Sequence, residues 1–167
     1  VLERNILKMR KTIIGEAGVG WRPHTKAMKN PDLARLCLDA GAHGVTCAKL
    51  SEAEVMADGG ITDILVANEI VGAKKIARLV NLCKRADVMV CVDHVDNAQQ
   101  IDRAARAAGV RPRVLVEVDV GMGRAGVQPG AAAVELASEV SRLGNIRFAG
   151  LQTWESHTLE ISDSLEK

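Results

Sequence analysis

The feature that most constrains the fold is a repeated order of elements, in which a helical stripe ends at a glycine and an apolar, β-rich run follows at once. Four copies are clear: helix 32–40 with Gly41 and strand 45–48, helix 52–58 with Gly59–Gly60 and strand 64–67, helix 101–108 with Gly109 and strand 114–120, and helix 131–143 with Gly144 and strand 146–151. Helix 73–85 enters strand 88–92 without a glycine, and residues 19–24 predict a short first strand. Six strands therefore alternate with helices.

Strands separated by helices pair in parallel through crossover connections, so the predicted class is α/β. Polar residues follow most of the strands, which favours a (β/α)8 TIM-type barrel with its site at the C-terminal face over an open sheet. A whole barrel needs eight units and typically about 250 residues. Residues 1–167 supply about six βα units, so we expect either an incomplete barrel or a truncated chain. The first residue is Val1, and segment 162–167 is typical of the middle of a helix.

Composition excludes several classes of partner. The 22 Lys and Arg nearly balance the 21 Asp and Glu, and the three aromatic residues include no Tyr, so nucleic acid is not an expected partner. No apolar run is long enough for a membrane span. The four cysteines form no CxxC pair, which favours free thiols and a cytoplasmic protein.

A glycine-rich segment follows the strand at 114–120. Gly121, Gly123 and Gly126 match G-x-G-x-x-G, yet Pro129 and Gly130 delay the next helix, so its N-terminus does not meet a ligand as it does in dinucleotide sites. We interpret the segment as a turn that lets Arg124 approach a ligand or another part of the chain closely.

Alternation along the same strand places Glu117 and Asp119 on the face opposite the valines, toward the barrel interior. Two residues apart on a strand, they lie about 7 Å from each other. This spacing suits either an acid–base pair or two ion pairs with interior Arg or Lys.

Three lysines follow predicted strands, and each is a candidate nucleophile: Lys26, Lys29 and Lys49. A lysine at a barrel mouth, partly desolvated and near other cations, forms Schiff bases readily. Spacing alone does not choose among the three. The histidines show no recognisable metal-ligand spacing, which favours hydrogen bonds to a ligand or to the backbone.

The segment Arg22–Lys26, with sequence RPHTK, resembles the R-P-H-x-K motif of the fold-type III pyridoxal-phosphate enzymes of the D-threonine aldolase and D-serine dehydratase family, which is related to the alanine racemase N-terminal barrel. Four further segments resemble that family in the same order: GAHGVTCAKLSEAE (41–54), DILVANEIV (63–71), VEVDVGMGRAG (116–126) and GLQTWESH (150–157). The resemblance thus covers nearly the whole chain.

The resemblance implies that Lys26 is the catalytic lysine and holds pyridoxal 5′-phosphate as an internal aldimine. We predict that Lys26, His24, Arg124, Gln152 and Trp154 bind this cofactor, with Arg22 and His24 making the surroundings of Lys26 cationic. The sequence departs from the family at three positions: Trp154 in place of Tyr or His, Ser156 in place of Gly, and Met28 in place of His.

The resemblance also implies parts beyond residue 167: two strands whose loops hold the cofactor phosphate, and a mostly β C-terminal domain that binds a divalent metal in some members. For that reason we assign no metal ligand in this chain. We therefore predict that residues 1–167 are the N-terminal portion of the barrel, inactive alone, and that the full-length protein is a homodimer. The predicted function is a pyridoxal-phosphate-dependent lyase that cleaves or dehydrates a small D-configured β-hydroxy amino acid. The alternatives are a non-catalytic pyridoxal-phosphate carrier barrel, an amino-acid racemase, and an inert fragment.

Overall fold

The computed structural model describes residues 1–162 and contains a single parallel sheet in the order β1-β2-β3-β4-β5. The strands are β1 (Val45–Cys47), β2 (Asp63–Glu69), β3 (Asp87–Val92), β4 (Arg113–Val118) and β5 (Arg147–Thr153). The helices are α1 (Leu2–Arg10), α2 (Pro31–Asp39), α3 (Leu50–Asp58), α4 (Ala73–Leu82), α5 (Val95–Ala108) and α6 (Ala131–Arg142). A π-helical turn (Lys11–Glu16) extends α1, and a short 3₁₀ helix (Ser156–Glu160) follows β5. The predicted α/β class is confirmed.

The predicted first strand at 19–24 is wrong in extent. Only His24 pairs with the sheet, through one parallel bridge to Thr46 in β1. Pro23 has no N–H to donate to a longer ladder, and its carbonyl accepts the Thr46 N–H at 2.8 Å. Residues 163–167, which belong to the predicted helical segment 162–167, lie outside the described residues.

The sheet has two apolar faces, as expected of parallel strands covered on both sides. On the outer face the β4 valines Val114 and Val116 are fully buried among residues of the main core. On the inner face a smaller cluster comprises Leu65, Met89, Cys91 and Leu115. The interior is therefore packed like a barrel core below the rim where the strands end.

The N-terminal helix α1 buries little. Ile6 packs with Trp21, while Leu2 and Met9 from the same stripe remain exposed. None of the helices within residues 1–162 combines the length and the apolar composition that crossing a membrane would need.

An ion network closes the N-terminal end of the sheet. Asp63, at the start of β2, accepts from Arg22 (Nη2 to Oδ2, 3.1 Å) and from Arg113. Arg113 also approaches Asp87, with Nε 2.8 Å from Oδ1. The expectation that Arg22 lies beside Lys26 is therefore wrong, because Asp63 binds its guanidinium at the opposite end of the sheet.

The network also changes the acidity of Asp63. Burial alone would raise the pKa of this carboxyl group, but the hydrogen bonds and charges of Arg22 and Arg113 outweigh it, and the pKa is lower than usual. Because the folded pKa lies below the unfolded one, this contribution to stability is present above the unfolded pKa. It is lost as the pH falls through the folded pKa.

We expect Asp63→Asn to lower the free energy of unfolding by about 1–3 kcal/mol at neutral pH, because two charged hydrogen bonds are lost. The deficit should begin to shrink as the pH falls below about 4, the usual pKa of an aspartate, and should vanish only below the lowered pKa of the folded Asp63. Urea titrations across this pH range measure both effects. The control is Glu139→Gln, which removes an exposed pair with Arg142 and should cost less than about 1 kcal/mol. An Asp63→Asn deficit that is constant with pH would contradict this account.

Candidate active site

A cavity of about 350 Å³ opens at the end of the barrel where the strands terminate. Its volume lies within the range of roughly 300–1,000 Å³ that is usual for small-molecule sites. The residues that line it are His24, Lys26, Ala48, Ala67, Asn68, Glu69, Glu117, Arg124, Ala125, Gln152 and Trp154. All five residues predicted from the sequence to bind a cofactor are thus brought together in one place.

The structure separates the three candidate lysines. Lys26 lines the cavity, whereas Lys29 directs its ammonium toward Glu52, with Nζ 3.6 Å from Oε1. Lys49 is the exposed residue that precedes α3, and its backbone N–H donates to Glu52 at 3.3 Å. The geometry therefore favours Lys26 over the other two.

Hydrogen bonds to β1 fix the backbone that carries Lys26. The Thr25 N–H and its hydroxyl both donate to the Thr46 carbonyl, at 2.7 and 3.0 Å, and the Thr25 side chain is buried. The Lys26 N–H donates to Nδ1 of His24 at 3.2 Å. This bond leaves the His24 proton on Nε2. Burial, together with the nearby Lys26 charge, lowers the pKa of His24 and favours this neutral form.

Trp154 follows β5 and faces the same cavity. Its ring is 43% exposed, and the Lys26 ammonium lies 5.5 Å from the ring centroid, within cation–π range. By contrast, Trp21 is 7% exposed and belongs to an apolar cluster. The exposed ring and the adjacent cation indicate a ligand-facing aromatic residue.

The glycine-rich segment is a loop that folds back on the end of β4. Val127 N–H donates to the Glu117 carbonyl at 3.0 Å, and Asp119 N–H donates to the Val127 carbonyl at 2.9 Å. Gly126 has φ +107°, and a Cβ there would lie 2.6 Å from the Asp119 nitrogen, so only glycine fits. The loop thereby carries Arg124 to the cavity, and α6 begins only after it.

Asp119 does not face the interior, so the prediction that it lies on the inner face with Glu117 is wrong. β4 ends at Val118, and Oδ1 of Asp119 accepts the N–H groups of Gly123 and Gly121, each at 3.0 Å. These bonds lower the pKa of Asp119. Its role is to hold the loop in shape.

Two carboxyl groups, those of Glu69 and Glu117, also line the cavity and are not among the five residues predicted to bind a cofactor. Glu117 is only 5% exposed, and it makes no ion pair among the residues that the structure describes. The buried Oε1 of Glu69 has no hydrogen-bond partner among residues 1–162. A signal was present, because alternation from Leu65 through Ala67 directs Glu69 inward. An irregularity of β2 after Val66, invisible in the sequence, sets its final position.

The remaining histidines lie outside the cavity. His94 caps α5 by accepting the Asp96 N–H at 3.2 Å, and His157 packs against Gly121 of the loop. Within residues 1–162 no group of three or more His, Cys, Asp and Glu side chains is arranged to hold a metal ion.

Comparisons with known proteins show the family of the chain. The model of the alanine racemase N-terminal domain matches residues 1–166. A D-threonine aldolase of Arthrobacter sp. is 45% identical over 81% of this chain and 36% of its own length. A 3-hydroxy-D-aspartate aldolase of Paracoccus denitrificans is 41% identical over 99% of this chain and 43% of its own. The crystal structure of D-threonine aldolase from Filomicrobium marinum superposes with a TM-score of 0.94 at 42% identity, over 99% of this chain and 44% of that one.

The chain thus spans less than half the length of these relatives, and their structure confirms the predicted barrel class. The family model covers nearly all 167 residues, so the resemblance drawn from the five sequence segments is confirmed. The chain belongs to the alanine racemase N-terminal domain family, in the fold-type III pyridoxal-phosphate class.

Proposed function

We propose that this chain binds pyridoxal phosphate in the cavity through Lys26 and forms the cofactor-binding part of a lyase. The substrate is a D-configured β-hydroxy amino acid, which is broken by aldol cleavage or by dehydration. The observation that carries the proposal is that one cavity contains Lys26, Arg124 and Trp154. Support comes from the 41–45% identity to a D-threonine aldolase and a 3-hydroxy-D-aspartate aldolase, whose names share this substrate class.

The residues present fit the cofactor. A primary amine at the cavity supplies the group that an aldehyde requires, and Arg124 supplies donors for an anionic ring substituent. The exposed ring of Trp154 offers an apolar surface to an aromatic ligand. The buried Oε1 of Glu69 lacks a partner, as expected of a site that a polar ligand completes.

When bound, pyridoxal phosphate supplies an electron sink that stabilises negative charge at the carbon next to the substrate amine. Lys26 is the attachment point, and its Nζ is the amine placed to take or return a proton at that carbon. The hydrogen bonds of Thr25 and His24 hold its backbone while the side chain moves. Lys26 is therefore proposed as the catalytic residue of this chain.

Arg124 and Trp154 orient the ligand. A guanidinium donates hydrogen bonds and does not give up its proton, so Arg124 keeps a facing ring atom in its unprotonated state. The indole of Trp154 limits the tilt of the cofactor ring and excludes water from one side of the Lys26 amine. Gln152 donates from Nε2 to the Thr153 carbonyl at 2.8 Å, and this bond fixes the side chain beside the ligand. His24 contributes through the Lys26 backbone.

The proposed lyase breaks its substrate either by aldol cleavage or by dehydration. Aldol cleavage needs a base for the β-hydroxyl proton, and dehydration needs a proton to leave Cα before the hydroxyl departs. Lys26 is the proposed proton carrier on its own face of the substrate. Racemisation differs because it returns the proton to the opposite face of Cα, which needs a second acid–base group.

The oligomeric state, partners and cellular location of the protein are also proposed. We infer a homodimer of the full-length protein, which the family resemblance supports, and no nucleic-acid partner, which the net charge of +1 supports. A cytoplasmic location is supported by four free cysteines, three of them buried.

Trp154→Ala should weaken pyridoxal-phosphate affinity about two- to tenfold, the equivalent of roughly 0.5–1.5 kcal/mol of aromatic contact. The melting temperature of the cofactor-free protein should change little, because the ring is exposed. Trp21→Ala is the matched control and should cost about 3–5 kcal/mol of stability. Fluorescence titration and thermal melts measure the two quantities. A large stability loss with unchanged affinity in Trp154→Ala would contradict a ligand-facing role.

The proposed reaction is tested with the protein at its natural length, incubated with D-threonine and, separately, with L-threonine. Aldol cleavage releases glycine and acetaldehyde, dehydration releases ammonia and a 2-oxo acid, and a carrier releases neither. We expect one of the two lyase product pairs from the D-isomer alone. Lys26→Ala should abolish product formation, whereas Lys49→Ala should retain it. Turnover of neither isomer by the intact protein, or full activity of Lys26→Ala, would refute the proposal.

A further inference from the structure

The inner end of the cavity contains two carboxyl groups on either side of β3. Glu69 ends β2 and pairs in register with Cys91 of β3, and Cys91 pairs with Leu115 of β4, two residues before Glu117. Both glutamates line the cavity. They therefore face the same space from opposite sides of the buried Cys91 thiol.

Neither carboxyl group is neutralised by a close cation. Glu117 is almost fully buried, and Oε1 of Glu69 is inaccessible and has no hydrogen-bond partner. The cations that line the cavity are Lys26 and Arg124, and neither forms an ion pair with these glutamates within the described part of the chain. Two ionised carboxylates at these positions would face one cavity without an ion pair, which is costly.

The surroundings favour the neutral form of both groups. Burial raises the pKa of Glu117, and the nearby charges of Glu69 and Asp93 raise it further. The hydrogen bond with Cys91 and the charge of Arg124 act in the opposite direction but do not outweigh burial. Burial likewise raises the pKa of Glu69, and the charge of Asp93 raises it further. The backbone N–H of Glu69 and the charge of Arg124 lower this pKa by less. The charged or titratable groups that face the pair are thus Asp93, Arg124 and Cys91, with Lys26 and His24 also lining the cavity.

We propose that the pair formed by Glu69 and Glu117 takes up one proton when an anionic ligand fills the cavity, and that the protonated carboxyl group donates a hydrogen bond to that ligand. This inference rests on the proposed function, because the anionic ligand is the cofactor. An anion raises the cost of ionising neighbouring carboxyl groups, so binding and protonation favour each other. Both glutamates line the cavity, so the protonated carboxyl group contacts the ligand, and the ligand supplies the partner that Oε1 of Glu69 lacks.

The test is calorimetric binding of pyridoxine 5′-phosphate to the cofactor-free protein at its natural length. This probe lacks an aldehyde and does not react with Lys26. Titrations at one neutral pH in two buffers of different ionisation enthalpy give the number of protons taken up. We expect the unaltered protein to take up more protons than Glu69→Gln and Glu117→Gln, by a difference that approaches one. Glu135→Gln, an exposed glutamate of α6, is the matched control and should behave as the unaltered protein.

The pH dependence gives a second readout. Affinity of the unaltered protein for the probe should fall more steeply with rising pH than that of Glu69→Gln, by a slope difference of at most about tenfold per pH unit. Equal proton counts and equal slopes in the unaltered protein and in either folded glutamine variant would overturn this inference alone. Absence of probe binding to the unaltered protein would overturn the proposed function and this inference with it.

Discussion

The site depends first on the hydrogen bonds between residues 23–25 and Thr46. The Pro23 carbonyl accepts the Thr46 N–H, and the Thr46 carbonyl accepts from the Thr25 backbone and hydroxyl, all within 3.0 Å. These bonds attach a short segment to the edge of the sheet and leave Lys26 as the first residue free to extend into the cavity. Arg22 holds the other end of the segment at Asp63. The R-P-H-T-K sequence therefore spans the barrel from its closed end to its mouth.

A second loop completes the site from the opposite side. Asp119 fixes the start of the loop through two glycine N–H groups, and Gly126 allows its return against β4. Asp93 joins the loop to the end of β3 by accepting the Gly126 N–H at 3.2 Å. Arg124 is thus placed by backbone geometry, and its side chain remains available to a ligand. The cavity combines the cations Lys26 and Arg124 with the carboxyl groups of Glu69 and Glu117, whose pKa values are raised. This arrangement suits an anionic aromatic ligand.

Much of this arrangement could be predicted from the sequence, because it follows from periodicity and short motifs. The alternation of helices and strands predicted the parallel sheet, and the five residues expected to bind a cofactor share one cavity. The errors concern contacts between distant residues. Nothing local shows that Arg22 binds Asp63, 41 residues away, or that β4 ends before Asp119. The inward position of Glu69 also depends on a strand irregularity that only pairing with β3 reveals.

Of the three candidate lysines, Lys26 alone is proposed to carry the cofactor. The most direct measurement is borohydride reduction of the pyridoxal-phosphate-loaded protein at its natural length, followed by proteolysis and fragmentation mass spectrometry to locate the added pyridoxyl mass. We expect the label on Lys26. No label is expected on Lys29, whose ammonium lies near the Glu52 carboxylate, or on Lys49, which precedes α3 outside the cavity. A label on Lys29 or Lys49, or a protein that takes up no pyridoxal phosphate, would contradict this proposal.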